Sequence, residues 1–318
     1  MERNFSFALP ENRPFDVVGL GLNAVDHIIT VPHYPEFNTK TRLLSHSQQP
    51  GGQVASALTA LARLGCKTRY IGKVGDDQAG QLQLSRLKAE GIEHTYAKCV
   101  SQATNQIAFI IIDSKTGERT IIWDRDERLA IQAEEVEEVA ICTGKILHID
   151  GHDVEADIKA AQFAHKANMA VVIDVDNFYP GADKLLPHID FLVTSSDFPG
   201  RVTGISDHKA ALAKLKEISG SYFVAMTLGK EGVLAYHEGE YLTVRGFEID
   251  CSDTTGAGDA FHGGFIYGLL QSMTIKETLR FANAVAAMKC QKLGAQTGLP
   301  SLAEVNKFLS ERMSTTPT

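Results

Sequence analysis

The sequence predicts an α/β fold: a doubly wound, mostly parallel sheet flanked by helices, with a small β-sheet lid. Short apolar segments typical of strands alternate with helical patterns along most of the chain. This alternation is typical of a parallel sheet with helices on both faces. Two β-like regions, 27–48 and 94–125, interrupt the alternation, and we interpret them as the lid. Residues 1–26, 49–93 and 126–318 then form the main domain that binds the ligands.

The first half of the chain starts with an arm, residues 1–14, that we expect to be loose. The predicted elements are then a strand at 15–22, a helix at 53–64, a strand at 68–71 and a helix at 80–90. Gly65 and Gly91 follow the two helices, and glycine readily adopts the left-handed conformation that ends a helix. Within the lid, 106–113 and 119–123 flank the turn sequence SKTG and predict a hairpin.

The second half of the chain resumes the alternation. Strands are predicted at 145–149, 170–174, 191–194 and 222–227, with helices at 156–167 and 207–219. A second hairpin is predicted at 232–244, and three helices at 259–270, 275–292 and 301–312 end the chain. Ser301 and Glu304 have the spacing of a capping box at the start of the last helix.

The composition excludes several classes of protein. The 318 residues are 44% hydrophobic and 22% charged, so the chain can bury a large core without disulfides or a structural metal. The net charge of -8 argues against nucleic acid as a partner, because neutralising phosphates needs a basic face. Five cysteines without a CxxC pair indicate a reducing cytoplasm. No signal peptide and no apolar run long enough to cross a membrane is evident, so no membrane partner is expected.

The segment 251–270, CSDTTGAGDAFHGGFIYGLL, carries the chemistry. Gly256, Ala257 and Gly258 have almost no side chains, so their backbone N–H groups can approach a phosphate closely. Asp259 follows where a helix is predicted to begin, and a helix N-terminus stabilises negative charge. We interpret the segment as an anion-binding loop beside a carboxylate that can accept a hydroxyl proton, as phosphoryl transfer requires. A glycine-rich loop with an ordinary capping Asp is the alternative.

The stretch DTTGAGDAFHGGF resembles the C-terminal signature of the ribokinase-like (PfkB) carbohydrate kinases. GGQVASALTALARLG at 51–65 is similar to the N-terminal signature of that family, and GKVGDD at 72–77 to the segment that follows it. The resemblance covers about residues 15–312. It implies a sugar kinase that uses ATP and Mg²⁺. RTIIWDRDERL and LHIDGHD look more like the ketohexokinase branch, and the overall pattern also resembles the sulfofructose kinase branch. These likenesses favour a ketohexose-like substrate.

The resemblance implies a role for each matching residue. Asp259 matches the catalytic base, and Gly256, Ala257 and Gly258 match the anion hole. The residues implied for sugar binding are Asp26, Gly51, Gly52, Ser56, Arg125 and Asp150. The residues implied for nucleotide binding are Thr227, Gly229, Gly232 and Asn283. Asp250, Ser252 and Gly294 resemble a site for a monovalent cation, K⁺.

The chain departs from the family pattern in two places. TSSDFPG at 194–200 lacks the Asn-x-x-Glu motif that helps many members to organise magnesium and phosphate. Asp197 is the candidate to compensate for it through water. Ser56 stands where many members have Asn, which weakens the case for ribose in particular.

Other functions remain open at this stage. A nucleoside kinase of the same superfamily and a non-catalytic sugar- or nucleotide-binding protein are alternatives. Gly19, Gly21 and Ala24 mimic a dinucleotide-binding fingerprint, but the next residues, DHIITVPHYP, are β-branched and proline-broken where that fingerprint requires a helix. The expected partners are therefore a small sugar, ATP and a second copy of the chain, because exposed lid strands can cover each other in a homodimer.

Overall fold

The structure is a computed structural model that describes residues 4–313. In this range the strands are β1 (Val17–Leu20), β2 (Ala24–Val31), β3 (Ser45–Gly51), β4 (Thr68–Gly75), β5 (Glu93–Val100), β6 (Ile107–Asp113), β7 (Arg119–Asp124), β8 (Ile146–Ile149), β9 (Ala170–Val175), β10 (Phe191–Thr194), β11 (Phe223–Thr227), β12 (Val233–His237) and β13 (Glu240–Val244). The α-helices are α1 (Gln53–Arg63), α2 (Gln78–Ala89), α3 (Glu138–Ile141), α4 (Val154–Lys166), α5 (Ala182–Leu185), α6 (Phe198–Thr203), α7 (His208–Ser219), α8 (Ala257–Leu270), α9 (Ile275–Lys289) and α10 (Leu302–Met313).

The large sheet confirms the predicted fold class. Its strand order is β13-β12-β11-β10-β9-β8-β1-β4-β5. All neighbours from β11 to β5 run parallel, whereas β12 and β13 form an antiparallel hairpin at the edge. The order reverses around β1, which pairs with both β4 and β8. The carboxyl ends of the parallel strands therefore share one edge, where sheets of this kind bind ligands.

The small sheet has the order β3-β2-β6-β7 and is the sheet predicted to be the lid. Its hairpin of β6 and β7 confirms the pair predicted around SKTG. The predicted lid boundaries need two corrections. The start of 94–125 is wrong because β5 pairs with β4 in the large sheet. In addition, β2 begins at Ala24 and β3 runs to Gly51, so Asp26 and Gly51 belong to lid strands rather than to the main domain.

The core lies on both faces of the large sheet, as a parallel sheet requires. Strands β8, β9 and β10 are buried along their whole length. On one face α8 packs between α1 and α9 at very short range. A Cβ atom at Gly263 would lie 2.6 Å from that of Ala60, and one at Gly264 would lie 2.8 Å from Cα of Ala282. The interior glycines of the motif are thus explained by close helix packing.

The N-terminal arm is packed rather than loose in the residues that the structure describes. The ring of Phe5 lies 5.3 Å from Phe223 and 5.5 Å from Phe191, and Phe7 lies 5.4 Å from Phe191. The expectation of a loose arm is therefore wrong from Asn4 onwards, because aromatic burial ties the segment to the core. Residues 1–3 of that expectation lie outside the described range. Across residues 4–313, no helix has the length and apolarity to cross a membrane.

Candidate active site

The glycine-rich motif forms the N-terminus of α8 at the carboxyl edge of the large sheet. Gly256 caps the helix with φ of +75°, a left-handed conformation that favours glycine. A Cβ atom at this position would also lie 2.7 Å from Cα of Ala295. Asp259 is the third residue of the helix, so its carboxylate sits within the first turn, where the helix dipole is positive.

The backbone amides of the motif do not all behave as predicted. The N–H of Ala257 donates to the carbonyl oxygen of Thr254 at 3.1 Å and therefore closes a turn. The amides of Gly256 and Gly258 donate to no other group within residues 4–313. Gly258 is exposed, and a Cβ atom added there would meet nothing within 4 Å. The amide of Ala257 is therefore already bonded within the protein, and the amides of Gly256 and Gly258 are the two of the predicted anion hole that stay open.

The environment of Asp259 raises the pKa of its carboxyl group to near neutral pH. Burial is the main cause that raises its pKa to about 7, and the neighbouring Asp174 raises it further. His262 and side-chain hydrogen bonding with Ser56 act in the opposite direction and lower the pKa. A carboxylate with a pKa near the working pH is well suited to general-base catalysis.

His262, one turn after Asp259, connects the motif to the large sheet. Its Nδ1 atom lies 2.9 Å from the carbonyl oxygen of Gly258 and 3.2 Å from the carboxylate of Asp174. Its Nε2 atom lies 3.3 Å from the carbonyl oxygen of Val193. Asp174, near the end of β9, did not emerge from the sequence, where only its position in a buried apolar run marks it.

The predicted sugar-binding residues of the lid lie beside Asp259. Asp26 of β2 is buried, and burial followed by the charge of Asp259 raises its pKa to about 7. Gly51 of β3 contacts the Asp26 carboxylate so closely that a Cβ atom would clash with it. Gly52 begins α1 with φ of +91°, and Ser56 lies one turn into the same helix. The structure therefore brings Asp26 with Gly51, and Ser56, close to Asp259, and Gly52 follows Gly51 at the start of α1.

Arg125 and Asp150 are engaged in bonds that hold the protein together. Arg125 forms a bidentate ion pair with Asp153, at 2.7 and 2.9 Å, and donates to the carbonyl oxygen of Leu129 at 3.0 Å. The Asp150 carboxylate accepts the amide of Leu22 at 2.6 Å and that of His152 at 3.2 Å. These bonds fix the loops around the cleft, and direct sugar contact by either residue stays a prediction.

The predicted nucleotide-binding residues surround the turn between β11 and β12. Thr227 ends β11, and Gly229 and Gly232 flank a single helical turn. Gly232 has φ of +100°, and a Cβ atom there would clash with the carbonyl oxygen of Val244. Asn283 of α9 donates to that same oxygen at 3.1 Å. Asn283 thus holds the end of β13, and its contact with adenine stays a prediction.

The residues implied for a monovalent cation lie in and around the loop before α8. Asp250 is exposed, and the Ser252 hydroxyl donates to the carbonyl oxygen of Gln291 at 3.1 Å. The amide of Gly294 donates at 2.8 Å to Asp253, which is the buried carboxylate of this loop. The carboxylate bonded to Gly294 is that of Asp253 and not that of the exposed Asp250, and the cation site itself stays a prediction.

The residues near the carboxyl ends of β9 and β10 fit a magnesium ion that is held mainly by phosphates. No group of three or more His, Cys, Asp and Glu side chains in residues 4–313 could hold a metal ion by itself. Asp176 is exposed just beyond β9 and interacts electrostatically with Asp197. Asp197 pairs with Arg201 and accepts the Ser195 hydroxyl at 2.9 Å. Because Mg²⁺ usually takes one or two carboxylates plus waters and phosphates, this sparse pair is compatible with it.

Arg119 reaches from the lid to the motif, a link that the sequence did not reveal. Its guanidinium group donates to the hydroxyl of Thr254, just before the glycines. A cavity of about 770 Å³ lies between the lid hairpin and this loop, lined by Tyr34, Asp113, Thr116, Gly117, Glu118, Arg119, Thr120, Ile121 and Thr254. A positive side chain therefore extends from β7 to the glycine-rich loop.

Comparisons with known proteins agree with this geometry. The chain matches the pfkB family carbohydrate kinases over residues 16–302. It is 30% identical to a ribokinase of Haemophilus influenzae over 297 residues, which cover 91% of this chain and 97% of the relative. It is 28% identical to a 5-dehydro-2-deoxygluconokinase of Clostridium botulinum, covering 95% of both chains.

The fold is also that of a solved structure. The ribokinase of Arabidopsis thaliana, solved in complex with ribose and ATP, superimposes with a TM-score of 0.79 at 23% identity, covering 93% of this chain and 98% of that chain. The dinucleotide-binding alternative is wrong, because its fingerprint requires a helix directly after the glycines, and β2 follows Gly21 instead. With both signatures at one cleft and the match spanning almost the whole length, the chain belongs to the pfkB family of carbohydrate kinases, phosphotransferases that act on an alcohol group.

Proposed function

We propose that this enzyme transfers the γ-phosphoryl group of ATP to a hydroxyl of a small sugar, with Asp259 as the general base. The observation that carries the proposal is the placement of Asp259 in the first turn of α8. There, the open amides of Gly256 and Gly258 lie on one side and Asp26 of the lid interacts with it on the other. A base for the hydroxyl and donors for the phosphate thus meet at one point.

In the proposed reaction the sugar oxygen attacks the γ-phosphorus, and the bond from phosphorus to the leaving ADP oxygen breaks. Asp259 accepts the proton that the attacking hydroxyl loses. The amides of Gly256 and Gly258 donate to the phosphoryl oxygens, where negative charge develops in the transition state. Arg119 adds positive charge from the lid side.

The lid supplies the sugar contacts in this proposal. The Asp26 carboxylate accepts hydrogen bonds from sugar hydroxyls, for which carboxylates are strong acceptors. Gly51 lacks a side chain where one would displace that carboxylate. Closure of the lid excludes water, which limits hydrolysis of ATP in the absence of sugar.

Mg²⁺ accompanies ATP in the proposal, and Asp176 and Asp197 are the residues that would hold it through water. When bound, the ion neutralises charge on the phosphate oxygens. The exposed position of Asp176 beyond β9 supports this assignment.

We favour a ketohexose-like acceptor, on the sequence likeness to the ketohexokinase and sulfofructose kinase branches. The relatives named above act on ribose and on 5-dehydro-2-deoxygluconate by their names, so these two compounds are the main competitors. A nucleoside acceptor and a non-catalytic role are the remaining alternatives.

A screen for ATP- and Mg²⁺-dependent ADP release tests the proposal. Its acceptors are ketohexoses, aldopentoses, 2-keto-3-deoxy acids, 5-dehydro-2-deoxygluconate, sulfosugars and nucleosides. We expect turnover with ketohexoses and little ADP release without sugar. A preference for nucleosides would replace the sugar assignment, and binding of sugar and ATP without product would support the non-catalytic alternative.

We also propose a homodimer in which the two lids cover each other. The lid exposes large apolar side chains, among them Ile122 and Trp123 of β7, each 55% exposed, and Phe37, 99% exposed. Exposed apolar strands are typical of a surface that another chain covers. Light scattering should give twice the mass of the chain, and Trp123→Glu should lower it. A monomer mass for the unmodified protein at working concentration would reject the dimer.

A further inference from the structure

A fully buried lysine lies directly behind the glycine-rich loop. Lys289, the last residue of α9, has no exposed surface, which is rare for lysine unless it is paired. Its ammonium group donates to the carbonyl oxygen of Asp253 at 2.9 Å. Asp253 begins the segment that leads to Gly256 and Gly258, so the positive charge is bonded to the backbone of the anion-binding loop itself.

Asp253 shapes this loop from inside. Its carboxylate accepts the amide of Thr255 at 2.8 Å, the hydroxyl of Thr255 at 2.7 Å and the amide of Gly294 at 2.8 Å. The carboxylate is therefore occupied by neutral donors, while the peptide carbonyl of the same residue receives the ammonium group. Lys289 thus supplies the cationic bond that joins α9 to the start of the loop.

The charges that face Lys289 are mainly acidic. Burial is the largest influence and lowers the pKa of Lys289, and Arg119 acts in the same direction, whereas Asp253 and Asp259 act against it. Asp26 also interacts with it, since Lys289 lowers the pKa of that carboxyl group. Lys289 therefore places a buried positive charge close to the carboxylates of Asp26 and Asp259.

A peptide carbonyl is the kind of oxygen that a hard cation such as K⁺ uses as a ligand. Here the carbonyl of Asp253 already receives an ammonium group, Asp250 is exposed, and the Ser252 hydroxyl is bonded to Gln291. A metal cation at this loop would therefore meet a carbonyl oxygen that the ammonium group of Lys289 already occupies.

We propose that Lys289 is an internal cation that supports the anion-binding loop where a monovalent metal ion would otherwise be needed, so that catalysis does not depend on K⁺. The inference rests on the proposed function, since it assigns the charge to the loop that holds the phosphate. Lys289 touches neither substrate and is a positioning residue. Its charge stabilises the loop in the conformation that presents the amides of Gly256 and Gly258.

The first experiment uses the unmodified enzyme. kcat and the KM for ATP are measured with chloride salts of potassium, sodium and tetramethylammonium as the only monovalent salts. At matched ionic strength we expect the three values of kcat/KM to agree within about twofold. A loss of about tenfold or more in kcat/KM when K⁺ is absent would overturn the proposal.

The second experiment removes the charge and restores it. Lys289→Met should lower kcat by about 10²-fold, the scale of losing one electrostatic contribution to phosphoryl transfer, whereas Lys292→Met, on the exposed loop nearby, should leave it unchanged. In Lys289→Gly, K⁺ or methylammonium should restore part of kcat and raise the Tm, and tetramethylammonium should do neither. Full activity of Lys289→Met, or a stable Lys289→Gly that small cations do not affect, would contradict the proposal.

The experiments distinguish failure of the proposed kinase function from failure of the role proposed for Lys289. If no acceptor is phosphorylated in any salt, the proposed function is wrong, and the Tm of Lys289→Gly with and without K⁺ still tests the internal cation. If the variants do not fold, the salt comparison on the unmodified enzyme decides alone.

Discussion

The carboxylate of Asp174 lies 3.2 Å from Nδ1 of His262, and through this contact the end of β9 is joined to the first turns of α8. The same nitrogen lies 2.9 Å from the carbonyl oxygen of Gly258. Both side chains are buried, so the link is shielded from water. His262 thereby couples the large sheet to the glycine-rich loop and to the first turn of α8, which carries Asp259.

Replacing His262 should change the pH dependence of the enzyme. His262 lowers the pKa of Asp259, so its removal in His262→Leu should move the acidic limb of the kcat/KM profile to higher pH. We also expect kcat to fall by about tenfold, because the loop loses a positioning contact. His208→Leu, on the exposed start of α7, is the control. An unshifted profile with normal kcat would show that His262 only fills space.

Removing the base should separate catalysis from binding. Asp259→Asn should lower kcat by about 10²–10⁴-fold, the usual range for a general base, and leave the affinity for ATP nearly unchanged. Steady-state kinetics and calorimetric titration with a non-hydrolysable ATP analogue measure the two quantities. Asp183→Asn, on the exposed surface of α5, is the matched control. A near-normal kcat in Asp259→Asn would refute the assignment.

The activity should fall in mild acid. Asp259 accepts a proton only when it is ionised, and its pKa is raised to about 7. We therefore expect kcat/KM to be constant above about pH 8 and to fall about tenfold per unit well below pH 7. Asp26, whose pKa is also raised to about 7, should steepen the fall if the sugar requires its ionised form. Constant activity down to about pH 5 would contradict the raised pKa values of Asp259 and Asp26.

The same carboxyl groups should make the fold less stable as the pH rises. The ordinary pKa of an aspartate side chain is 3.8, so between about pH 4 and 7 the folded chain holds protons on Asp26 and Asp259 that the unfolded chain has released. Stability then decreases with pH across this window. Asp26→Asn should therefore raise the Tm more at about pH 8 than at about pH 5, by the equivalent of about 1–3 kcal/mol. Equal shifts at both pH values would argue against the raised pKa.

Two glycines of the motif should respond differently to alanine. Gly256 has a left-handed φ and no room for a Cβ atom, so Gly256→Ala should lower the free energy of unfolding by about 1–3 kcal/mol. Gly258 lies in the helix beside open space, so Gly258→Ala should keep or slightly raise stability. Its methyl group should nevertheless obstruct the phosphate and lower kcat/KM for ATP. Denaturant unfolding and kinetics on both variants distinguish the two effects.

Local patterns predicted much of the fold because they reflect local physics. The buried runs that became β8 to β11 and the glycine-ended helices α1 and α2 follow from side-chain burial and backbone preferences within a few residues. The predicted lid boundary was wrong at β5, because the sheet that β5 joins depends on its pairing with β4, which no local pattern shows. The prediction of a loose N-terminal arm was wrong for a similar reason. Phe5 packs in an aromatic cluster whose other members are more than 180 positions away in the chain.

The sequence by itself determined that a loop of tiny residues precedes Asp259 at a helix start, because that motif is contiguous. Only the tertiary structure decided which amides stay open, that Asp174 and His262 stand behind the base, and that Lys289 donates to the carbonyl of Asp253. The physical reason is that pKa values, charge compensation and hydrogen-bond partners depend on distances between segments far apart in the chain, which no local pattern encodes.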